Sequence, residues 1–348
     1  MKMILKIIIC AIFLSGCESA EKDSTYYKNP VFEPDLADPT VIKANDGWFY
    51  AYGTENTWEE NNHQVTPVIR SKDLVNWTYV GEAFSKKPDW KDGWIWAPNI
   101  NYINGEYVLY YSFSLWGDEN PAIGIAVSDK PEGPFEDLGK LIDSKGMGVN
   151  NSIDPFLLQV GSEKYLYWGS LGGGIYGVQL SSDGRSVTGQ KFQVAGNSFE
   201  GAYIYKRGNY YYLFVSTATC CEGANSVYRV VVGRGENFKG PYLNKNGKNL
   251  MVFHNMWWPP EVDKIDGVIL QGNSYIAGPG HNAEIITDDH GDDWFIYHAI
   301  ERSDPYLPRG ATRRPLFIDR IEWIEDWPVI NQGNGPSYES RPEPYFLK

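Results

Sequence analysis

Long amphipathic helices are missing from this 348-residue chain. Beyond the first seventeen residues, no stretch sustains apolar residues at i, i+3, i+4 and i+7, which excludes a helical bundle. Cysteine is scarce as well. Of the four, Cys10 and Cys17 fall in the N-terminal segment, and Cys220 and Cys221 are neighbours. Adjacent cysteines do not readily bridge to each other, so no disulfide framework is expected. Neither CxxC nor HExxH occurs, which removes the usual zinc and thiol chemistries. Positive charge is also short: 31 Lys and Arg stand against 44 Asp and Glu, a net charge of −13 with both signs interspersed. A polyanion would be repelled, so nucleic acid is excluded and a neutral ligand is expected.

What is abundant points one way. The chain carries 13 Trp, 24 Tyr and 15 Phe beside 36 Gly and 21 Pro, a mixture suited to many short strands joined by tight turns. The opening "MKMILKIIICAIFLSGC" has a basic start, an apolar stretch of signal-peptide length and a small-residue exit. Leu14-Ser15-Gly16-Cys17 resembles a bacterial lipobox, which implies cleavage before Cys17 and a lipid on it. An ordinary secretory signal with an incidental cysteine is the alternative. The expected organisation is a lipoprotein signal at 1–17, a polar tether at 18–29 and one domain over 30–348. Such a protein would be exported to the periplasm or the outer-membrane surface. It would touch the membrane only through its anchor and act as a monomer.

One pattern recurs five times: a head residue, a short strand, a turn, and an aromatic-rich second strand ending in a small or polar residue. The copies are "DPTVIKANDGWFYAYGT", "APNINYINGEYVLYYS", "DPFLLQVGSEKYLYWGS", "EGAYIYKRGNYYYLFVS" and "HNAEIITDDHGDDWFIYHA". Their heads are Asp38, Ala97, Asp154, Glu200 and His281, and the aligned aromatic follows 10 to 13 residues later each time. Repeats 46 to 81 residues apart are too long for a solenoid. They predict an all-β fold, a five-bladed β-propeller with about four strands per blade; a β-sandwich of hairpins would need no repeat.

In a propeller the first strand of each blade lines the axis, so the heads converge on one hub. Three carboxylates and an imidazole in one small space weaken a fold unless they serve something. Two carboxyls flanking a pocket can cleave a glycosidic bond, one ionised to activate water and the other protonating the leaving oxygen. A third would hold the acid protonated. Trp94, Trp96 and Trp116 offer flat faces to sugar rings, or else pack between blades, and Asn151 and Ser170 are candidate polar substrate contacts.

Asp38-Pro39, Trp96-Ala97-Pro98, Ser152-Ile153-Asp154-Pro155 and Glu200-Gly201-Ala202-Tyr203 occur here in order. They are followed by "CCEGANSVY", "VVGR", "GPGHN" and "WPVINQGNGPS". On these motifs the chain resembles glycoside hydrolase family 43, in its single-domain arabinanase-like branch, over roughly residues 30 to 338. The resemblance implies inverting hydrolysis, with Asp38 as general base, Glu200 as general acid and Asp154 as the residue that raises and orients the acid. It implies a plant cell-wall oligo- or polysaccharide as substrate and no cofactor for the chemistry. His281 matches a hub histidine often found near a bound calcium, which suggests a water-coordinated structural Ca2+ there; a histidine merely hydrogen-bonded in the channel is the alternative.

Three departures stand out: Ala37 where arabinanases usually have His, Leu171 in place of an aromatic, and Glu222 where "CCRG" carries Arg. They bear on cleft shape and endo action, not on the three carboxylates. The expected activity is cleavage of α-L-arabinofuranosyl linkages in arabinan or arabino-oligosaccharides. A β-xylosidase or xylan-trimming arabinofuranosidase is the rival enzyme, and a non-catalytic carbohydrate-binding lipoprotein the rival class. A chain ending at Lys348, without the extra β-sandwich of many xylosidase relatives, leans toward arabinan. Residues 249–275 read as an insertion whose Met256–Pro260 run could wall the pocket. Spacing leaves open whether Arg313 or Arg314 reaches substrate.

Overall fold

The computed structural model describes residues 25–251 and 266–347. The signal segment, Cys17 and the Met256–Pro260 run lie outside the described residues. Five antiparallel sheets form the five expected blades. Blade 1 comprises Thr40–Lys43, Phe49–Tyr52, Pro67–Ser71 and Thr78–Glu82. Blade 2 comprises Trp94–Ile103, Glu106–Ser114, Ala122–Ser128 and Glu136–Asp143. Blade 3 follows with Phe156–Val160, Glu163–Trp168, Ile175–Leu180 and Phe192–Ala195. Blade 4 has Glu200–Arg207, Tyr210–Thr217, Arg229–Gly235 and Val268–Gln271, so the end of the 249–275 stretch supplies its outer strand. Blade 5 has Ile276–Gly280, Asp293–Glu301, Leu316–Ile324 and Trp327–Ile330, with Ile286–Thr287 also paired to its second strand. Among the described residues the only α-helix is the single turn Ser144–Met147.

The aromatic second strands explain how this ring is held. Each lies inside its own sheet and between two neighbouring sheets, so both faces are buried and the sequence reads as a continuous apolar run. In Glu106–Ser114, every residue after the first is buried. Its side chains sort by parity. Tyr107, Leu109, Tyr111 and Phe113 join the apolar cluster shared with Tyr50, Tyr52 and Val68 of blade 1. Val108 and Tyr110 face Leu157, Leu166 and Trp168 of blade 3 instead. The outer strand Glu136–Asp143 alternates exposed and half-buried residues before it turns inward, as an edge facing water should.

Closure falls between blades 5 and 1. Phe49, Ala51 and Ile69 pack there on Trp294, Ile296, Leu316 and Ile318. The N-terminal segment reinforces the seam and begins earlier than the tether boundary at residue 29 suggests. Tyr26–Tyr27 pairs with Arg341–Pro342, and the Val31 amide donates to the Leu316 carbonyl at 2.8 Å. The buried Asn29 amide imitates a strand residue. Its Nδ2 donates to the Ile318 carbonyl and its Oδ1 accepts the Ile318 amide, both at 2.9 Å.

The expectation for Cys220 and Cys221 is corrected: they are bonded to each other. Their Cα atoms stand 3.8 Å apart, the spacing across a trans peptide. The bond sits in a tight loop after Thr217 in which Ala218 takes a positive φ of 74°. Val227 and Tyr228 both donate to the Thr219 carbonyl at the base of that loop. A ring of two adjacent residues encloses no chain segment, so it still supplies no framework of the loop-closing kind.

Candidate active site

The hub is built from one device used four times. Asp38, Ala97, Asp154 and His281 all have left-handed backbones, with φ of 51°, 40°, 59° and 45°, a conformation costly for side chains bearing a Cβ. In each case the amide is held by the preceding blade. Asp38 donates to His298 Nδ1 (3.0 Å), Ala97 to Thr54 Oγ1 (2.9 Å), Asp154 to Ser112 Oγ (2.8 Å) and His281 to Ser216 Oγ (2.8 Å). The acceptors are the polar residues that end the second strands, apart from His298, one place earlier in its copy.

Blade 4 departs from the predicted phase. Its left-handed residue is Gly201 (φ 59°), not Glu200. A Cβ at Gly201 would lie 3.1 Å from the His281 ring, so glycine serves both the backbone and the close approach. The strand register shifts between Glu200 and Tyr203, and this bulge is what moves the carboxylate one residue ahead of its own head.

Asp38, His281, Gly201 and Asp154 form a connected set around the axis. The carboxylate of Asp38 approaches His281 Nδ1 at 3.3 Å, the His281 ring lies against Gly201, and the Gly201 amide donates to Asp154 Oδ2 at 3.2 Å. Around Asp38, Arg314 Nη1 donates to Oδ1 at 2.9 Å and Thr54 Oγ1 to Oδ2 at 2.7 Å. Burial alone would raise this carboxyl. Arg314, then His281, His298 and the Thr54 hydroxyl outweigh it and hold Asp38 well below the usual carboxylate range. Burial also keeps His298 from protonating. Its Nδ1 is occupied by the Asp38 amide, and the standing cation beside Asp38 is Arg314. Arg313 is engaged elsewhere, with Glu301 at 2.9 Å and with Glu33.

Asp154 experiences the opposite field. Burial first, then the negative charges of Glu200 and Asp38, raise it well above the ordinary value. The Asp154 carboxyl therefore resists ionising beside the Glu200 charge. Glu200 accepts from Ser170 Oγ on Oε2 at 2.6 Å and from Tyr228 Oη on Oε1 at 2.7 Å. Ser170, a candidate substrate contact from sequence, is therefore turned onto Glu200 in this structure.

The remaining candidates lie on blades 2 and 3 and the loops beside them. Trp96 occupies the position before the Ala97 head, as Glu200 does before Gly201. Its ring sits 5.7 Å from that of Trp116, which is 84% exposed. Trp94 packs edge-on to His63 at 5.4 Å. Asn151 Nδ2 donates to the Leu171 carbonyl at 3.2 Å and so ties its loop to the turn after Ser170.

Sequence reasoning missed Arg314 as the partner of Asp38, Tyr228, His298 and Glu284. Glu284 lies along the hub channel with Thr40, Asn99 and Asn282. It accepts from Thr40 Oγ1 at 2.9 Å, from Asn99 Nδ2 at 2.9 Å and from the Val41 amide. Burial outweighs these donors and pushes its carboxyl up to about 7. Burial likewise pushes Asp35 up to about 6. A raised carboxyl lends stability that is complete below its unfolded value and lost as pH rises through its folded one. The melting temperature is therefore expected to fall between about pH 4 and pH 7. Glu284→Gln should flatten that slope; an unchanged slope in a melting series would remove Glu284 as its source.

Among the described residues no group of three metal-ligating side chains comes together. Near His281 the orphaned buried oxygen is Asn282 Oδ1. That donor set makes no cage for directly bound calcium; an ion there would be held through its own waters.

Comparison with known proteins agrees with this geometry. The family described as Glycosyl hydrolases family 43 matches residues 27–328. The extracellular endo-α-(1→5)-L-arabinanase 1 of Bacillus subtilis (strain 168) is 32% identical over 308 residues, covering 84% of this chain and 87% of that protein. The extracellular exo-α-(1→5)-L-arabinofuranosidase ArbA of Cellvibrio japonicus (strain Ueda107) is 30% identical over 338 residues, covering 88% and 89%. The solved structure of Cellvibrio cellulosa α-L-arabinanase complexed with arabinohexaose superposes with a TM-score of 0.72 at 28% identity, over 87% of this chain and 97% of that one. The matched span takes in the whole hub from Asp38 to Arg314, and the chain belongs to glycosyl hydrolases family 43, as a glycoside hydrolase of arabinanase type.

Proposed function

We propose that the protein hydrolyses α-L-arabinofuranosyl linkages in arabinan or arabino-oligosaccharides with inversion at the anomeric carbon. The observation that carries this reading is the split electrostatics of the hub: Asp38 is pinned as an anion by Arg314, while burial and the neighbouring Glu200 charge raise Asp154 well above the ordinary carboxylate range. In the reaction Asp38 takes a proton from a water whose oxygen attacks the anomeric carbon. The C–O bond to the leaving sugar breaks as Glu200 delivers its proton to that oxygen. Asp154 stands beside Glu200 as the residue that orients the acid. After product release, solvent carries the proton from Asp38 back to Glu200.

Following the first-formed anomer by proton NMR tests this. Linear arabinan, arabino-oligosaccharides and nitrophenyl α-L-arabinofuranoside should be cleaved, with the β-anomer of arabinose appearing first. An α-anomer would mean retention and overturn the direct-water route. Turnover confined to nitrophenyl xyloside would favour the xylosidase reading, and inactivity on every substrate the carbohydrate binder. Export is part of the same proposal, supported by the signal-like residues 1–17 and by two relatives whose names call them extracellular. Lipidation at Cys17 is proposed from its lipobox-like context.

A further inference from the structure

The fivefold capping pattern has one exception. Thr54, Ser112, Ser216 and His298 each accept the amide of the next blade's head. Ser170 holds the same place in blade 3 and does not. Its hydroxyl goes to Glu200, and the Gly201 amide it would have received turns to Asp154 Oδ2. The break falls at the junction where the carboxylate stands one residue ahead of its head. On the other oxygen of Glu200 sits Tyr228, which is fully buried. Its ring lies parallel to that of His298, 5.8 Å between centroids and 6° between planes.

We infer that Ser170 and Tyr228 are positioning residues for the acid: two hydroxyls that fix the Glu200 carboxyl in both of its protonation states. This rests on Glu200 protonating the leaving group. A hydroxyl can give or accept a hydrogen bond. Against the carboxylate both donate, as observed. When Glu200 carries the proton, the hydroxyl on that oxygen turns aside and leaves the proton to the glycosidic oxygen, while the other keeps its hold. A cation or backbone amide in either place would serve only the charged form and weaken the acid. Tyr228 also joins the two halves of the reaction, since the ring stacked on it caps the amide of Asp38.

Tyr228→Phe and Ser170→Ala, each made in the full chain, can be assayed on two substrates. One is an arabino-oligosaccharide, whose sugar leaving group needs a proton; the other is nitrophenyl α-L-arabinofuranoside, whose phenolate departs with little help. Each variant should lose about tenfold or more of kcat on the oligosaccharide with KM little changed. The loss on the aryl substrate should be several-fold smaller. Removing a donor to the charged form raises the acid's proton affinity, so the alkaline limb of kcat on the oligosaccharide should move to higher pH. Equal losses on both substrates, or none on either, overturn the inference. Should Tyr228→Phe fail to fold, Ser170→Ala gives the same readout with less disturbance. A wild-type protein inactive on both substrates would overturn the underlying reading of Glu200 rather than this one.

Discussion

Asp38→Asn is expected to lose roughly 10²- to 10⁴-fold in kcat on every substrate the protein cleaves. The loss should not depend on the leaving group, because water must be deprotonated whichever group departs. Glu200→Gln provides the contrast: its deficit should be deep on oligosaccharides and shallow on an activated aryl arabinofuranoside. Comparing the two variants on the two substrates thus assigns base and acid without reference to any relative. The folded state should survive Asp38→Asn. The head amide remains held by His298, and an asparagine oxygen still accepts from Thr54 or Arg314. Ordinary turnover by Asp38→Asn, or a loss that grows with leaving-group basicity, would remove Asp38 as the base.

Arg314→Met should harm both stability and the pH profile. Arg314 Nη1 reaches Asp38 while its own backbone amide donates to the buried Asp35 at 2.7 Å. Removing the guanidinium strands a buried anion, which typically costs about 3–5 kcal/mol. Asp38 is held low when Arg314 is present, so the pair contributes stability above the unfolded carboxylate value that is lost as pH falls through the folded one. Without the cation, burial dominates and Asp38 rises. The acid limb of kcat/KM should then move toward neutrality and leave residual activity only at higher pH. Arg314→Lys should restore part of the charge effect but not the fork geometry. An acid limb unmoved in Arg314→Met would show that Arg314 is not what keeps the base ionised.

Much of this was legible in the chain because the repeat carries two signals at once. Aromatic-rich runs such as Tyr107–Phe113 mark strands buried on both faces, and the shared phase of Asp38, Asp154 and His281 marks the hub. Phase failed at Glu200, where a bulge inserts one residue that no count of spacing distinguishes from loop variation. Arg314 was beyond reach for a different reason. It lies 276 residues from its partner, in a stretch where Arg313 is an equal candidate by spacing. The polar ends of the second strands were visible as a pattern, yet their task as amide acceptors depends on how neighbouring blades abut. Glu284 gave no signal, since one more acid in an acidic chain draws no notice until three donors are found around it.

Because four of the five head amides are gripped by the strand-end side chain of the blade before, most blades depend on a neighbour to keep their hub residue in place. A sheet that frays releases its neighbour's backbone, and the left-handed geometry there has nothing else to sustain it. The Asn29 latch closes the same circuit between the last blade and the first. Loss of order is therefore all-or-none around the ring, and activity should vanish together with the first detectable unfolding instead of surviving in a partly opened molecule.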